Sequence, residues 1–232
     1  MSPRRVWQWV GQHRWVAFAA LAAGIGLRVF TELVDELYEG TLPPVDLAIL
    51  GVARAHHAAI LDHAARALSD LVVWPNVGLL VAPFLVYLAL TRRYAWAWGL
   101  VVLPLFALVV TEGLKVIFGR PRPLTAIVEE IGNSFPSSHA TAATVLYGLL
   151  GCVAWRYCLR RRWSRGLAVF VTCILILGTG LARIYLEVHY PSDVMAGWAA
   201  GAFILFGGIL LLDAWQQRAG RSGAADRSGP EV

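Results

Sequence analysis

The sequence predicts an all-α protein: a bundle of six transmembrane helices with an interfacial helix between the first and the second. Three observations point there. Hydrophobic residues fill 58% of the 232 positions and the mean hydropathy is +0.60. Charged residues reach only 15%, against about 25% in ordinary soluble domains. Six apolar segments each approach the roughly 20 residues that a bilayer crossing needs. Ten tryptophans fit a chain with two membrane interfaces.

The six segments run in order. The first, 14–34, is the weakest, because Arg28 and Glu32 interrupt it. A cleaved signal peptide is its rival reading, since a basic start precedes a short apolar core. A retained helix is preferred, as the apolar character resumes past Arg28 and no clear small-residue cleavage site follows. The others are 72–91, 94–118, 139–158, 165–186 and 192–215. Residues 1–215 thus form a single domain, and the Gly-, Ser- and Arg-rich 216–232 is expected to be a disordered cytoplasmic tail.

Charge gives the orientation. Arg4, Arg5 and Arg14 precede helix one, and Arg92 and Arg93 separate helices two and three. Arg156, Arg160, Arg161, Arg162 and Arg165 flank the next turn on that side, and Arg218, Arg221 and Arg227 follow helix six. Six crossings put all of them on one face, and excess arginine marks the cytoplasm. The net charge of +5 is explained by this topology and gives no reason to expect nucleic acid. Cys152, Cys158 and Cys173 show neither metal spacing nor disulfide pairing and read as buried free thiols.

The opposite face carries 35–71, 119–138 and 187–191. Segment 43–71 has helical apolar spacing but is too polar to span, hence the interfacial helix. Its His56, His57, Asp62 and His63 match no zinc pattern well, and a solvated polar face is the better reading.

That face also gathers costly polar groups at membrane depth. Lys115, the only lysine, ends helix three. Arg120 and Arg122 follow in the proline-stiffened "GRPRP". Ser137, Ser138 and His139 open helix four, Arg183 ends helix five, and His189 and Asp193 lead into helix six. Singly, each has a plain explanation. Lys115 snorkels, Ser137 caps a helix, His139 sits at an interface, and Asp193 suits a helix dipole. Together they carry chemistry. Cations and free helix-start N–H groups make an anion site that suits phosphate. A histidine paired with a carboxylate is a nucleophile or base held in one tautomer, and a second histidine serves as general acid. These are the parts for phosphoryl transfer without a metal.

Three of these stretches resemble the motifs of the type 2 phosphatidic-acid phosphatase family, membrane lipid phosphate phosphatases with a haloperoxidase-like core. Lys, six residues, then Arg-Pro matches Lys115 through Arg122-Pro123. Pro-Ser-Gly-His matches Pro136-Ser137-Ser138-His139, with Ser138 in place of glycine. Ser-Arg, five residues, His, three residues, Asp matches Ala182-Arg183, His189 and Asp193, with Ala182 in place of serine. The resemblance covers about 115–193. It implies that His189 attacks phosphorus and forms a phosphohistidine, that Asp193 holds its imidazole, and that His139 protonates the leaving oxygen and then activates water. It further implies that Lys115, Arg122, Ser137, Ser138 and Arg183 hold the phosphate oxygens. Arg120 is left as a contact to a second phosphate. No cofactor and no metal are expected.

The implied partners are a lipid phosphate substrate and membrane lipids, in a cell (inner) membrane with cytoplasmic termini and an extracytoplasmic site. The sequence carries no signal of oligomeric state. Undecaprenyl diphosphate is slightly favoured, with phosphatidic acid close behind and phosphatidylglycerol phosphate also a candidate. Glu129, Glu130 and Glu187 are placed to shape selectivity, although a solvated acidic rim is the simpler reading. A non-catalytic lipid or anion transporter is the rival of another class, but it has no need of His139, His189 and Asp193 together. The spans exclude a soluble haloperoxidase.

Overall fold

The computed structural model describes residues 14–73 and 75–225, with side chains to 216. Among them every regular element is helical. Helix α1 is Arg14–Glu39, α2 Pro43–Ala55, α3 Ala59–Asp70, α4 Asn76–Leu90 and α5 Tyr94–Phe118. Then come α6 Ser138–Val153, a π turn Ala154–Cys158, α7 Arg162–Tyr185 and α8 Pro191–Ala225.

Among the described residues, α1, α5, α7 and the Pro191–Gln216 part of α8 are long and apolar enough to cross a membrane. Helix α4 has 15 residues, about 22 Å of rise, short of the ~30 Å hydrocarbon core, and contains Pro83. Helix α6 has 16 residues and gains length only through the π turn. The described residues thus hold four helices long and apolar enough to span and a shorter apolar one, rather than six of equal standing.

Helix α6 is the centre. From Ala140 to Val153 most of its side chains are buried, packed by α5, α7 and α8. Lipid tails are as apolar as leucine, so close packing rather than hydrophobic expulsion must hold such helices together. Gly197 and Gly201, one turn apart on α8, provide it. A Cβ at Gly197 would meet the Ser137 carbonyl oxygen at 2.6 Å, and one at Gly201 would meet Thr144 Cβ at 2.6 Å. The helix starts are tied as well, since Ser137 N–H donates to the Asp193 carbonyl at 3.0 Å. Ser137 and Asp193 are thus fixed side by side. Helix α1 runs along α8, with Gly26 close under the Ala199 carbonyl. The Arg28–Glu32 interruption is an i,i+4 ion pair on an exposed face, so the charges offset one another without ending the helix.

Segment 43–71 is two helices and not one. The break falls at His56–Ala58. His56 Nδ1 lies 2.8 Å from the Val52 carbonyl, taking an acceptor of the last turn, and Ala58 is extended. Helix α3 then seats Ala65 against Ala182, Leu186 and Val188, and α2 reaches α7 and α8. His57 is not on a solvated face: it lies 3.3 Å from Asp62 and 3.2 Å from Glu187.

On the arginine-rich side several guanidiniums do structural work. Arg156 makes a bidentate pair with Asp213 at 2.5 and 2.8 Å, between the rings of Trp15 and Trp96. Arg93 lies 3.8 Å over Tyr157. Helix α8 continues to Ala225, through the first ten residues of the segment 216–232; residues 226–232, and Arg4 and Arg5 at the other end, lie outside the described residues.

Candidate active site

Four local features bring the polar residues together. Helix α5 ends at Gly119, whose φ of +60° is the left-handed cap position that glycine takes most readily. The chain then turns into "RPRP", where the prolines prevent another helix. Asn133 donates to the Lys115 carbonyl at 2.8 Å, and Ser134 N–H donates to the Arg120 carbonyl at 2.8 Å, so the 119–137 loop folds back over the end of α5. Helix α6 is capped by Ser137, whose hydroxyl accepts from Ala140 N–H at 3.4 Å. Finally, α7 and α8 are joined by only five residues, 186–190. Glu187 sits there at φ +53°, a region that costs a non-glycine residue energy. Arg54 Nη2 at 2.7 Å, His57 and Thr125 hold its buried carboxylate in place. This turn drops His189 into the interior.

His189 is fully buried. Its Nδ1 stands 3.5 Å from Asp193 Oδ2 and has no closer partner. Its Nε2 stands 3.2 Å from Arg122 Nη1. Guanidinium is always a donor, so Nε2 carries the lone pair and Nδ1 the hydrogen. Burial lowers the pKa of this imidazole. Arg183 and Arg122 lower it further, and together they outweigh Asp193, which raises it. The ring is therefore neutral at pH 7, with the Nε2 electron pair facing Arg122. Asp193 Oδ2 also accepts Tyr190 N–H at 2.9 Å, while Oδ1 accepts from Arg120 at 2.6 Å.

Arg122 contacts Nε2 of His189, and Arg183 acts on the ring at electrostatic range. Arg122 is held by the Val188 carbonyl at 2.9 Å and the Gly132 carbonyl at 3.1 Å. Arg183, also buried, donates to Ser69 Oγ at 2.7 Å. His139, in the first turn of α6, lies within electrostatic range of Arg183, Glu130, His189 and Lys115. Lys115 Nζ bonds Glu112 at 2.8 Å and Ser138 Oγ at 2.9 Å. The serine that replaces glycine thus has a definite partner, the one lysine. Ala182 lies in the apolar cluster beneath α3.

Sequence reasoning missed Glu130 as a partner of the cations. Its carboxylate bridges Arg183 and Arg122, the latter at 2.9 Å. Burial raises its pKa, but Arg183, His139 and Arg122 outweigh burial and hold it below the usual carboxylate range. An anion therefore already spans two of the guanidiniums that the motifs assign to phosphate. Glu187 proves to be a buried strut, and Glu129 is exposed. Arg120 faces the back of the dyad, its donors directed to Asp46, Ser192 and Asp193. Among the described residues no three His, Cys, Asp or Glu side chains are grouped to hold a metal.

Known proteins resemble the chain in sequence and in fold. The chain is 26% identical over 117 residues to phosphatidylglycerophosphatase B of Bacillus subtilis, covering 49% of this chain and 58% of that one. It is 38% identical over 71 residues to decaprenylphosphoryl-5-phosphoribose phosphatase of Mycobacterium tuberculosis, covering 31% and 33%. The chain spans about half the length, or less, of these curated relatives. The fold superposes with a TM-score of 0.68 on the crystal structure of a transmembrane PAP2-type phosphatidylglycerolphosphate phosphatase from Bacillus subtilis. That match is 18% identical and covers 84% of this chain and 96% of the other. With its apolar helices, the likeness makes this a multi-pass membrane protein. The model of the PAP2 superfamily matches residues 96–217, more than half of the chain and every motif position from Lys115 to Asp193, and the chain belongs to that superfamily.

Proposed function

We infer that the protein is a membrane lipid phosphate phosphatase that works through a phosphohistidine at His189. One observation carries the reading: a buried neutral imidazole directs Nε2 at Arg122, 3.2 Å away, within electrostatic range of Arg183, with the Asp193 carboxylate behind it. In the first step Nε2 attacks phosphorus and the bond to the lipid oxygen breaks, while His139 gives that oxygen a proton. In the second step His139 takes a proton from water, the resulting hydroxide attacks phosphorus, and the P–N bond breaks, returning its electrons to Nε2. Lys115, Arg122, Arg183 and the N–H groups of Ser138 and His139 hold the equatorial oxygens. Asp193, 3.5 Å from Nδ1, is the carboxylate that takes up the Nδ1–H as the imidazole gains positive charge in the attack. Positioning and electrostatic stabilisation are the main resources of phosphoryl transfer.

The site lies at the ends of α5 to α8 remote from the arginine-rich turns. This supports a topology of six crossings, α4 and α6 included, with the site on the extracytoplasmic side of the inner membrane and cytoplasmic termini. Relatives named for phosphatidylglycerol phosphate and for a decaprenyl phosphoryl sugar favour a lipid phosphomonoester. Undecaprenyl diphosphate becomes the second reading, because the donors of Arg120 are already bonded to carboxylates and a serine. A panel of phosphatidic acid, phosphatidylglycerol phosphate and undecaprenyl diphosphate in detergent decides between them. Orthophosphate release from none of the three would refute the phosphatase and favour a transporter.

Glu130 must leave when phosphate arrives. Each charge-assisted bond it makes is worth roughly 1.5–3 kcal/mol, so phosphate binds in competition with it. Glu130→Gln keeps the shape and removes the charge. It should lower the inhibition constant of orthophosphate about 10- to 100-fold, measured as product inhibition. A raised constant would mean instead that Glu130 is needed to orient the arginines.

The acid limb of kcat/KM follows the free enzyme. Protonating Nε2 removes the nucleophile, so activity falls as pH drops through the His189 pKa. Because that pKa is lowered, the limb should lie below the ordinary histidine value of about 6.5. A pH–rate profile from pH 4 to 8 reads it, and a limb above 6.5 would contradict the burial argument.

A further inference from the structure

The back of the dyad is built as carefully as the front, and it draws on a helix outside the matched family region. Arg120 emerges directly after the left-handed Gly119 and turns inward, its side chain 9% exposed. Nη1 donates to Asp193 Oδ1 at 2.6 Å and to Ser192 Oγ at 2.7 Å. Nη2 donates to Asp46 Oδ2 at 2.6 Å. The guanidinium lies 4.2 Å over the Tyr190 ring. Asp46, on α2, is itself 2% exposed. It accepts Ser192 N–H at 2.9 Å through Oδ1 and the Ser192 hydroxyl at 2.6 Å through Oδ2. A lone carboxylate in the apolar stretch "PPVDLAIL" is thereby explained: it meets the first turn of α8 and the cation that holds Asp193.

We propose that Arg120 and Asp46 are positioning residues for the phosphohistidine reaction, setting both the orientation and the effective charge of Asp193. The proposal rests on the reading of His189 as nucleophile. Arg120 fixes Oδ1, and Tyr190 N–H fixes the other oxygen towards Nδ1 of His189. Arg120 also divides its charge between two carboxylates. If Asp193 faced His189 alone, its full charge would favour imidazolium and remove the lone pair. If Arg120 served Asp193 alone, the carboxylate would hold the imidazole less firmly. Asp46 sets the balance from α2.

The charges at the two centres are these. His189 faces Asp193 on α8, Arg122 and Glu130 on the loop, Arg183 on α7 and His139 on α6. Arg120 faces Asp46 on α2 and Asp193 on α8. Changing Arg120 or Asp46 removes no member of the first set, and Asp193 is the member that Arg120 bonds, so the shift they cause passes through Asp193.

The test is a pair of pH–rate profiles on the full chain in detergent, with a lipid phosphomonoester and a lipid diphosphate. Arg120→Lys and Asp46→Asn should lower kcat, by about a hundredfold for a misplacement near 1 Å, with KM little changed for either substrate. The acid limbs should move in opposite directions. Arg120→Met should raise it by about one unit, since an unshared opposite charge favours imidazolium, and Asp46→Asn should lower it. Should Arg120→Met not fold with two unbalanced carboxylates, Arg120→Met/Asp46→Asn keeps the charge balance and should still raise the limb. Unmoved limbs, or limbs moving together, overturn the proposal. So does a rise in KM confined to the diphosphate on changing Arg120, which would make Arg120 a substrate contact. A wild type without turnover defeats the underlying reading instead, so the two failures are distinguishable.

Discussion

His189→Ala is expected to release no orthophosphate from any lipid phosphate above a protein-free control. The argument is chemical rather than structural. The oxygens of Glu130 are taken up by Arg122 and Arg183 and leave when phosphate arrives, so Nε2 of His189, beside Arg122, is the electron pair that remains to attack phosphorus. Asp193 cannot substitute, because both its oxygens are bonded behind the ring. The loss is therefore of the bond-forming step itself, not of one contribution among several. Folding should survive. The alanine leaves a cavity, but it also removes an imidazole whose Nδ1 lacks a close partner. Circular dichroism and thermal unfolding of the variant check this, and substantial residual turnover would assign the nucleophile elsewhere.

His139→Ala should have the next largest effect, and its size should depend on the substrate. General acid catalysis contributes about 10²–10⁴-fold. It matters most where the leaving oxygen is strongly basic, as in a lipid phosphomonoester whose product is an alcohol. A phenol with an electron-withdrawing group leaves without help. The variant should therefore lose about 10³-fold on the lipid but much less on p-nitrophenyl phosphate. With that ester the second step, which also uses His139, becomes limiting, so phosphoenzyme should accumulate and p-nitrophenol should appear as a burst. Equal losses on both substrates, with no burst, would show that His139 binds phosphate rather than transferring protons.

The residues that make this site were legible because membrane depth is a hostile place for charge. In a chain with 58% hydrophobic residues, Lys115, Arg122, Arg183, His189 and Asp193 stand out, and their spacing carried the family. Helix α5 was legible at both ends, since Gly119 and the prolines after it leave a helix no way to continue. The partner of Ser138, Lys115, lies 23 residues away in sequence and meets it only in the fold. What stayed hidden are the partners. Glu130 lies in a polar loop where an acidic side chain needs no explanation, and only the fold brings it onto Arg122 and Arg183. Asp46 and Arg120 are 74 residues apart in sequence, and no local pattern links them. The break in 43–71 was also missed, because an amphipathic pattern records which face is apolar and not where a carbonyl is taken by a side chain such as His56.

The central claim is that phosphate passes through His189. The direct measurement is a rapid quench of the purified protein with radiolabelled lipid phosphate, followed by peptide mapping under alkaline conditions, where phosphohistidine survives. The prediction is acid-labile, base-stable phosphate on the peptide holding His189, formed in the presence of chelator and absent from His189→Ala. Turnover with no trapped phosphoenzyme in wild type or in His139→Ala would contradict it, as would activity lost to chelator and restored by Mg²⁺.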